Sequence, residues 1–179
     1  MVDPRTTRRV AYWALFLALT VTTTFLRLLP INPMAHGIPG PDLMLAFTFV
    51  WLMRRPDYLP AWLIIAVFLL GDMIFWRPVG LWALIVLLGT EFLRGRVPLS
   101  RALPLAAEMV MVGSVMLAML LMNRLVLALA LVDQPPLGLE LLRLMMTLLA
   151  YPFVAVFSRL AFGLHRPVPG EAAGYGRRL

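Results

Sequence analysis

The sequence contains no cysteine and no lysine, and it carries little charge of either sign. Without cysteine, the 179-residue chain has no disulfide, no thiol nucleophile and no cysteine-ligated metal site. Only 14% of its residues are charged and 61% are hydrophobic, whereas an ordinary soluble domain has about 25% charged and about 45–50% apolar residues. This composition excludes an ordinary water-soluble protein, a disordered chain and a collagen-like chain. It predicts an integral membrane protein.

Apolar runs separated by short polar segments divide the chain into six predicted helices. A hydrocarbon core of about 30 Å requires about 20 apolar residues per crossing, and fewer where protein shields the helix. The predicted helices are 10–29, 42–53, 59–76, 81–93, 102–132 with a break near residue 123, and 137–162. The short runs 42–53 and 81–93 are expected to borrow length from their loops or to lie inside the bundle.

Continuous apolar runs are unlike the alternating strands of a membrane barrel, so the predicted fold class is an all-α integral membrane protein, a bundle of six transmembrane helices. Residues 1–166 form one membrane domain in this prediction, and a polar cytoplasmic tail follows at 167–179.

The arginines predict the orientation of the bundle. Sixteen arginines and nine acidic residues give a net charge of +7. With the N-terminus in the cytoplasm, 12 of the 16 fall on the cytoplasmic side, and the other four lie at or near the outer ends of helices: Arg27, Arg77, Arg124 and Arg143. The positive-inside rule therefore predicts a multi-pass protein with both termini in the cytoplasm. Because the arginines form short clusters between apolar runs, the positive charge indicates the topology of the chain and contact with anionic membrane lipid. It does not indicate a nucleic-acid partner.

Acidic residues inside a span are costly and by default face the bundle interior or a wet cavity. Asp42, directly after Pro41, is positioned to cap the second helix. Asp72 lies in the last turn of the third helix, where it either clamps the turn, with Arg77 as the nearest partner in sequence, or contacts a partner or ligand. Glu108 either makes a functional contact from the fifth helix or an ordinary interhelical hydrogen bond.

Two acid–arginine pairs have a spacing of three residues, which places both side chains on one helix face. This spacing predicts ion pairs between Glu91 and Arg94 and between Glu140 and Arg143.

Three enzyme motifs, those of an intramembrane aspartyl protease, a paired-histidine zinc site and a Ser-His site, are missing from this sequence. A Gly-x-Gly-Asp intramembrane protease would need glycine at position 69, where the sequence has Leu69. The two histidines, His36 and His165, are predicted on opposite sides of the membrane, so they form neither a His-x-x-x-His zinc pair nor a Ser-His site. We expect no enzyme activity, no metal and no cofactor, whereas transport of a small molecule between the helices stays open.

The region between residues 40 and 80 resembles a known family. The sequence reads Gly40-Pro41-Asp42-Leu43, then a helix ending at Arg54-Arg55-Pro56, then Gly71-Asp72 and the turn Pro78-Val79-Gly80. This order of motifs resembles the rod shape-determining protein family MreD, with compatible size and topology elsewhere. The bulky and charged residues 75–77 depart from the small or polar residues that are more usual at this turn.

The resemblance implies a non-enzymatic scaffold in the bacterial inner membrane, a subunit of the rod (elongation) complex that acts in lateral peptidoglycan synthesis and cell shape. MreC is the implied direct partner, with RodA and a penicillin-binding transpeptidase in the same complex and MreB contacted indirectly. The expected contact regions are the loop 30–42, residues 72–80 and the exposed face of the fifth helix around Glu108. The candidate partner-binding or structural residues are Pro41, Asp42, Asp72, Pro78, Gly80 and Glu108. MreD also resembles in fold the substrate-binding subunits of energy-coupling-factor vitamin transporters, which supplies the alternative function.

Overall fold

The computed structural model describes residues 4–29, 39–100 and 104–162, with side chains for 9–29, 39–97 and 104–162. These residues form one short 3₁₀ helix, Pro56–Tyr58, and six α-helices: α1 (Pro4–Leu28), α2 (Leu43–Arg54), α3 (Ala61–Ile74), α4 (Leu81–Ser100), α5 (Leu105–Leu129) and α6 (Leu137–Phe162). No strand occurs among them, which confirms the all-helical class. Three of the described helices, α1 over Arg9–Leu28, α5 and α6, are long and apolar enough to cross a membrane, and α2 and α3 are shorter apolar helices.

Proline and aspartate determine where several helices begin. The side chain of Asp42 caps α2 as predicted, since its carboxylate accepts a hydrogen bond from the backbone N–H of Leu45. Pro60, Pro104 and Pro136 precede α3, α5 and α6, and their carbonyls accept the first helical hydrogen bonds. A proline at this position costs the helix no backbone hydrogen bond, because the first backbone N–H groups of a helix have no partner within the helix.

The short run 81–93 gains length from the segment that follows it, one of the two arrangements expected for it, but the predicted helix end at residue 93 is wrong because α4 continues to Ser100. Its Arg94 guanidinium donates to the backbone carbonyls of Pro56 at 2.9 Å and Leu59 at 2.7 Å. It also pairs with Glu91 at 3.0 Å, which confirms that predicted pair. Arg94 thus has hydrogen-bond partners while it remains part of α4, so the helix does not have to end where the apolar run ends. Helix α1 likewise begins at Pro4, before the apolar run starts at residue 10.

The predicted break near residue 123 is also absent from the structure. Asn123 and Arg124 lie within the continuous helix α5. The Arg124 guanidinium is held by the carboxylate of Glu140 at 2.6 Å and by the carbonyl of Pro135 at 2.9 Å. These contacts satisfy the charge from outside α5, so its backbone has no need to open.

Contacts between helix ends show that successive helices run in opposite directions. At one end of the bundle, Arg27 near the end of α1 and Arg143 near the start of α6 both lie beside Asp42. At the opposite end, Arg54 in the last turn of α2 lies beside Glu108 in the first turn of α5. We call these the Asp42 end and the Glu108 end.

The core of the bundle surrounds α2. Every residue from 45 to 54 is buried, and α1, α4 and α6 pack around this helix. The Trp51 ring packs against Phe16 and Phe162 at centroid distances of 5.7 and 5.8 Å, and its indole N–H donates to Ser158 Oγ at 3.3 Å. A helix that is apolar on every side belongs in such an interior. The short run 42–53 therefore lies inside the bundle, one of the two arrangements expected for it.

Candidate functional site

Asp42 joins the ends of three helices. Its Oδ1 caps α2 through the N–H of Leu45 at 3.2 Å. Its Oδ2 lies 3.2 Å from Nη2 of Arg143 on α6 and 3.6 Å from Nη1 of Arg27 on α1. Its own backbone N–H donates to Thr147 Oγ1 at 2.8 Å. One carboxylate thus fixes the relative positions of α1, α2 and α6 at the Asp42 end.

Asp72 fixes the turn between α3 and α4. It is fully buried, and its Oδ2 accepts hydrogen bonds from the backbone N–H groups of Gly80 at 3.1 Å and Ala83 at 3.2 Å. A carboxylate at the start of a helix satisfies its free N–H groups and complements the helix dipole. Asp72 therefore clamps this turn through backbone amides. Arg77, the partner expected from the sequence, instead has its guanidinium 5.5 Å from the ring of Trp82.

The backbone of this turn has two residues with positive φ. Gly80 has φ of +87°, a conformation that L side chains rarely adopt. Trp76 follows the last turn of α3 with φ of +53°, at the position where helices commonly end with glycine. The Trp76 side chain is 96% exposed and that of Val79 is also exposed. The turn therefore holds two apolar side chains outward on a constrained backbone.

A cavity of about 250 Å³ opens between α2, α4, α5 and α6 at the Asp42 end. Its polar lining consists of Asp42, Arg77, Asn123, Glu140, Arg143 and Thr147. Its apolar lining consists of Leu45, Pro78, Leu81, Trp82, Met116, Leu120, Leu127, Pro135 and Leu144. Small-molecule sites have this mixture of apolar walls and a few convergent polar groups.

The predicted ion pair between Glu140 and Arg143 does not form. Glu140 pairs with Arg124 on α5, and Arg143 pairs with Asp42 on α2. Each of the two side chains pairs with a residue on another helix. The i,i+3 spacing allows an ion pair within α6 but does not prevent a better-placed side chain from taking its place. The four arginines assigned to outer ends, at positions 27, 77, 124 and 143, thus all lie at the Asp42 end.

Glu108 lies at the opposite end of the bundle and is fully buried. It accepts a hydrogen bond from the Tyr151 hydroxyl and lies 3.4 Å from Nη1 of Arg54. These contacts connect α5 to α6 and α2. Glu108 is therefore not on an exposed face of the fifth helix, and the interhelical alternative is the one observed.

The predicted site residues divide into two groups. Pro41, Asp42, Asp72, Pro78 and Gly80 all belong to the Asp42 end, whereas Glu108 does not. The sequence missed the convergence of Arg143, Thr147 and Trp82 on one cavity, and its only signal was the set of outer arginines. Of the predicted contact loop, residues 30–38 lie outside the described residues, as do both histidines and the tail 167–179.

Comparison of the chain with family models, with curated proteins and with solved structures gives no match in any of the three.

Proposed function

We propose that this chain is a non-enzymatic membrane scaffold subunit of the bacterial rod complex, which binds MreC and helps to position lateral peptidoglycan synthesis. The family expectation comes from the MreD-like motifs between residues 40 and 80. RodA and a penicillin-binding transpeptidase as neighbours, and MreB as an indirect one, follow from that resemblance alone.

The observation that carries the proposal is the construction of the turn between α3 and α4. The motif residues Asp72 and Gly80 act inward, as a helix cap and as a tight bend. Next to them, Trp76 and Val79 point outward with little contact to the rest of the described chain. A constrained backbone that presents an exposed tryptophan is suited to binding, since tryptophan is enriched among the residues that dominate interface energies.

The proposed topology is a six-helix multi-pass protein of the inner membrane with both termini in the cytoplasm. The alternating direction of successive helices is compatible with six crossings. This topology assigns the Asp42 end to the outer side. Three of the four arginines there, Arg27, Arg124 and Arg143, pair with Asp42 or Glu140, so most of the exceptions to the positive-inside rule are arginines with a carboxylate partner.

The double variant Trp76→Ala with Val79→Ala is expected to reduce the MreC that co-purifies with the tagged chain at least fivefold. Truncation of a tryptophan that anchors an interface typically costs about 2 kcal/mol, roughly thirtyfold in affinity. The measurement is mass spectrometry of the complex extracted gently from native membranes, normalised to the amount of the tagged chain.

Leu131→Ala is the matched control. Leu131 has φ of +55° and is 93% exposed in the connection between α5 and α6, so it shares the backbone conformation and exposure of Trp76. Its substitution should leave MreC recovery unchanged. If the double variant recovers as much MreC as the wild type, the 76–79 surface is not the binding site. If the wild-type preparation contains no MreC, the scaffold function itself is contradicted.

The cavity favours a second candidate function, the substrate-binding subunit of a vitamin-type small-molecule transporter. In the same purification, this function predicts a paired ATPase and a coupling subunit in place of MreC and cell-wall synthases.

A further inference from the structure

Around the cavity at the Asp42 end, more arginines than carboxylates are present among the described residues. Asp42 is shared between Arg27 and Arg143, and Glu140 pairs with Arg124. Within the described part of the chain, Arg77 has no carboxylate at ion-pair distance. The carboxylate of Asp72, the nearest acid in sequence, is directed at the backbone amides of Gly80 and Ala83 instead.

The Arg77 guanidinium lies beside two aromatic rings and not beside an acid of the described chain. It lies 5.5 Å from the ring centroid of Trp82 and 5.8 Å from that of Phe75. Such cation–π contacts restrict the side chain and leave its N–H donors available. Since Arg77 and Trp82 both line the cavity, a cation with no carboxylate partner among the described residues lies beside a flat apolar surface.

We infer that this cavity binds an amphiphile with a single anionic head group, a phosphate or a carboxylate, on an apolar body. The head group pairs with Arg77, with Arg143 as the second cation, because the planar guanidinium fits the oxygens of both anions. The apolar body packs against Leu81, Trp82 and Leu120.

The size of the cavity limits the ligand. A volume of about 250 Å³ is just below the range of about 300–1,000 Å³ typical of small-molecule sites. It accommodates a head group and a short apolar segment but not a folded peptide. The two acids in the lining do not repel the anion strongly, since Asp42 also pairs with Arg27 and Glu140 pairs with Arg124.

This inference depends only on the cavity and does not require the scaffold function. Its test uses the full-length chain in neutral maltoside micelles, titrated calorimetrically with octyl phosphate, with octanol and with inorganic phosphate, and corrected with empty micelles. Octyl phosphate is expected to bind saturably and at least tenfold more tightly than either fragment, because only it has both the head group and the apolar body.

Two variants connect the binding to this cavity. Arg77→Gln is expected to weaken octyl phosphate binding at least tenfold, and Leu120→Phe, which fills the apolar part of the cavity, should do the same. Arg96→Gln is the matched control, because the Arg96 guanidinium also lies over an aromatic ring, Phe92 at 3.9 Å, but at the Glu108 end. Its binding should equal that of the wild type.

Three results would overturn the inference: no saturable binding, equal affinity for octanol and octyl phosphate, or unchanged binding in both Arg77→Gln and Leu120→Phe. The source of the ligand is assigned by adding phosphatidylglycerol to the micelles. Competition with octyl phosphate supports a lipid head group as the natural ligand, and lack of competition supports a free amphiphile. Failure of binding together with normal MreC recovery would contradict this inference and leave the scaffold proposal intact.

Discussion

Glu108→Ala is expected to lower the free energy of unfolding by about 3 kcal/mol, the cost of breaking a buried ion pair from one side. The substitution leaves the buried Arg54 guanidinium without this carboxylate and the Tyr151 hydroxyl without its acceptor. All three residues are at most 9% exposed, so water cannot replace the lost partner at low cost. The measurement is reversible unfolding by sodium dodecyl sulfate in mixed micelles, followed by tryptophan fluorescence.

Glu108→Gln should cost less than Glu108→Ala, because the amide oxygen still accepts from Tyr151 while the negative charge is lost. The matched control is Glu91→Ala, which removes a second acid–arginine contact toward this end of the bundle. The Glu91 side chain is 45% exposed, and pairs of this kind typically contribute about 0–1 kcal/mol. If Glu108→Ala costs no more than Glu91→Ala, the buried cluster does not stabilise the fold.

Replacing Arg54, Glu108 and Tyr151 together distinguishes two contributions to the free energy of unfolding. One is the cost of leaving a buried charge without its partner, and the other is the net stabilisation by the ion pair. Arg54→Met, Glu108→Leu and Tyr151→Phe together should recover most of the stability lost in Glu108→Ala, since well-packed apolar residues often replace a buried ion pair without loss. A triple variant as unstable as Glu108→Ala would show that the cluster itself contributes net stability.

The helices could be predicted where their signals are local. Apolar length located all six helices, and Asp42 marked the start of α2 because an N-cap acts only three residues ahead in the chain. The errors occurred where a distant group decides the outcome. The end of α4 depends on carbonyls 35 and 38 residues away from Arg94, and the continuity of α5 at Arg124 depends on Glu140, which is 16 residues away.

The candidate site shows the same division. Spacing predicted the Glu91–Arg94 pair correctly, because no partner on another helix competes for Glu91 among the described side chains. The same spacing failed for Glu140 and Arg143, since Arg124 and Asp42 lie closer once the helices pack. The cavity could not be predicted at all, because it is formed by four helices whose arrangement is a property of the whole bundle.

Asp72→Ala is expected to lower the free energy of unfolding by about 2 kcal/mol, the upper part of the range for the loss of an N-cap. The variant leaves the N–H groups of Gly80 and Ala83 without their shared acceptor at a partly buried helix start. Asp72→Asn should cost about half as much, because its amide oxygen replaces Oδ2 although the charge that complements the helix dipole is lost. Asp57→Ala, which removes an exposed carboxylate from the 3₁₀ helix, is the control and should leave the unfolding curve unchanged.

The same variants connect the capping role of Asp72 to partner binding. Asp72→Ala should insert into the membrane at the wild-type level, since it removes a charge and leaves every apolar run unchanged. It should nevertheless reduce MreC recovery, because loss of the clamp frees the backbone that holds Trp76 outward.

Gly80→Ala tests whether the turn backbone determines partner binding without changing the Asp72 carboxylate. An L side chain is strained at φ of +87°, so this variant should also reduce MreC recovery. If both variants are destabilised but recover MreC normally, the turn caps α4 and the partner binds elsewhere. If neither is destabilised, the clamp itself is refuted.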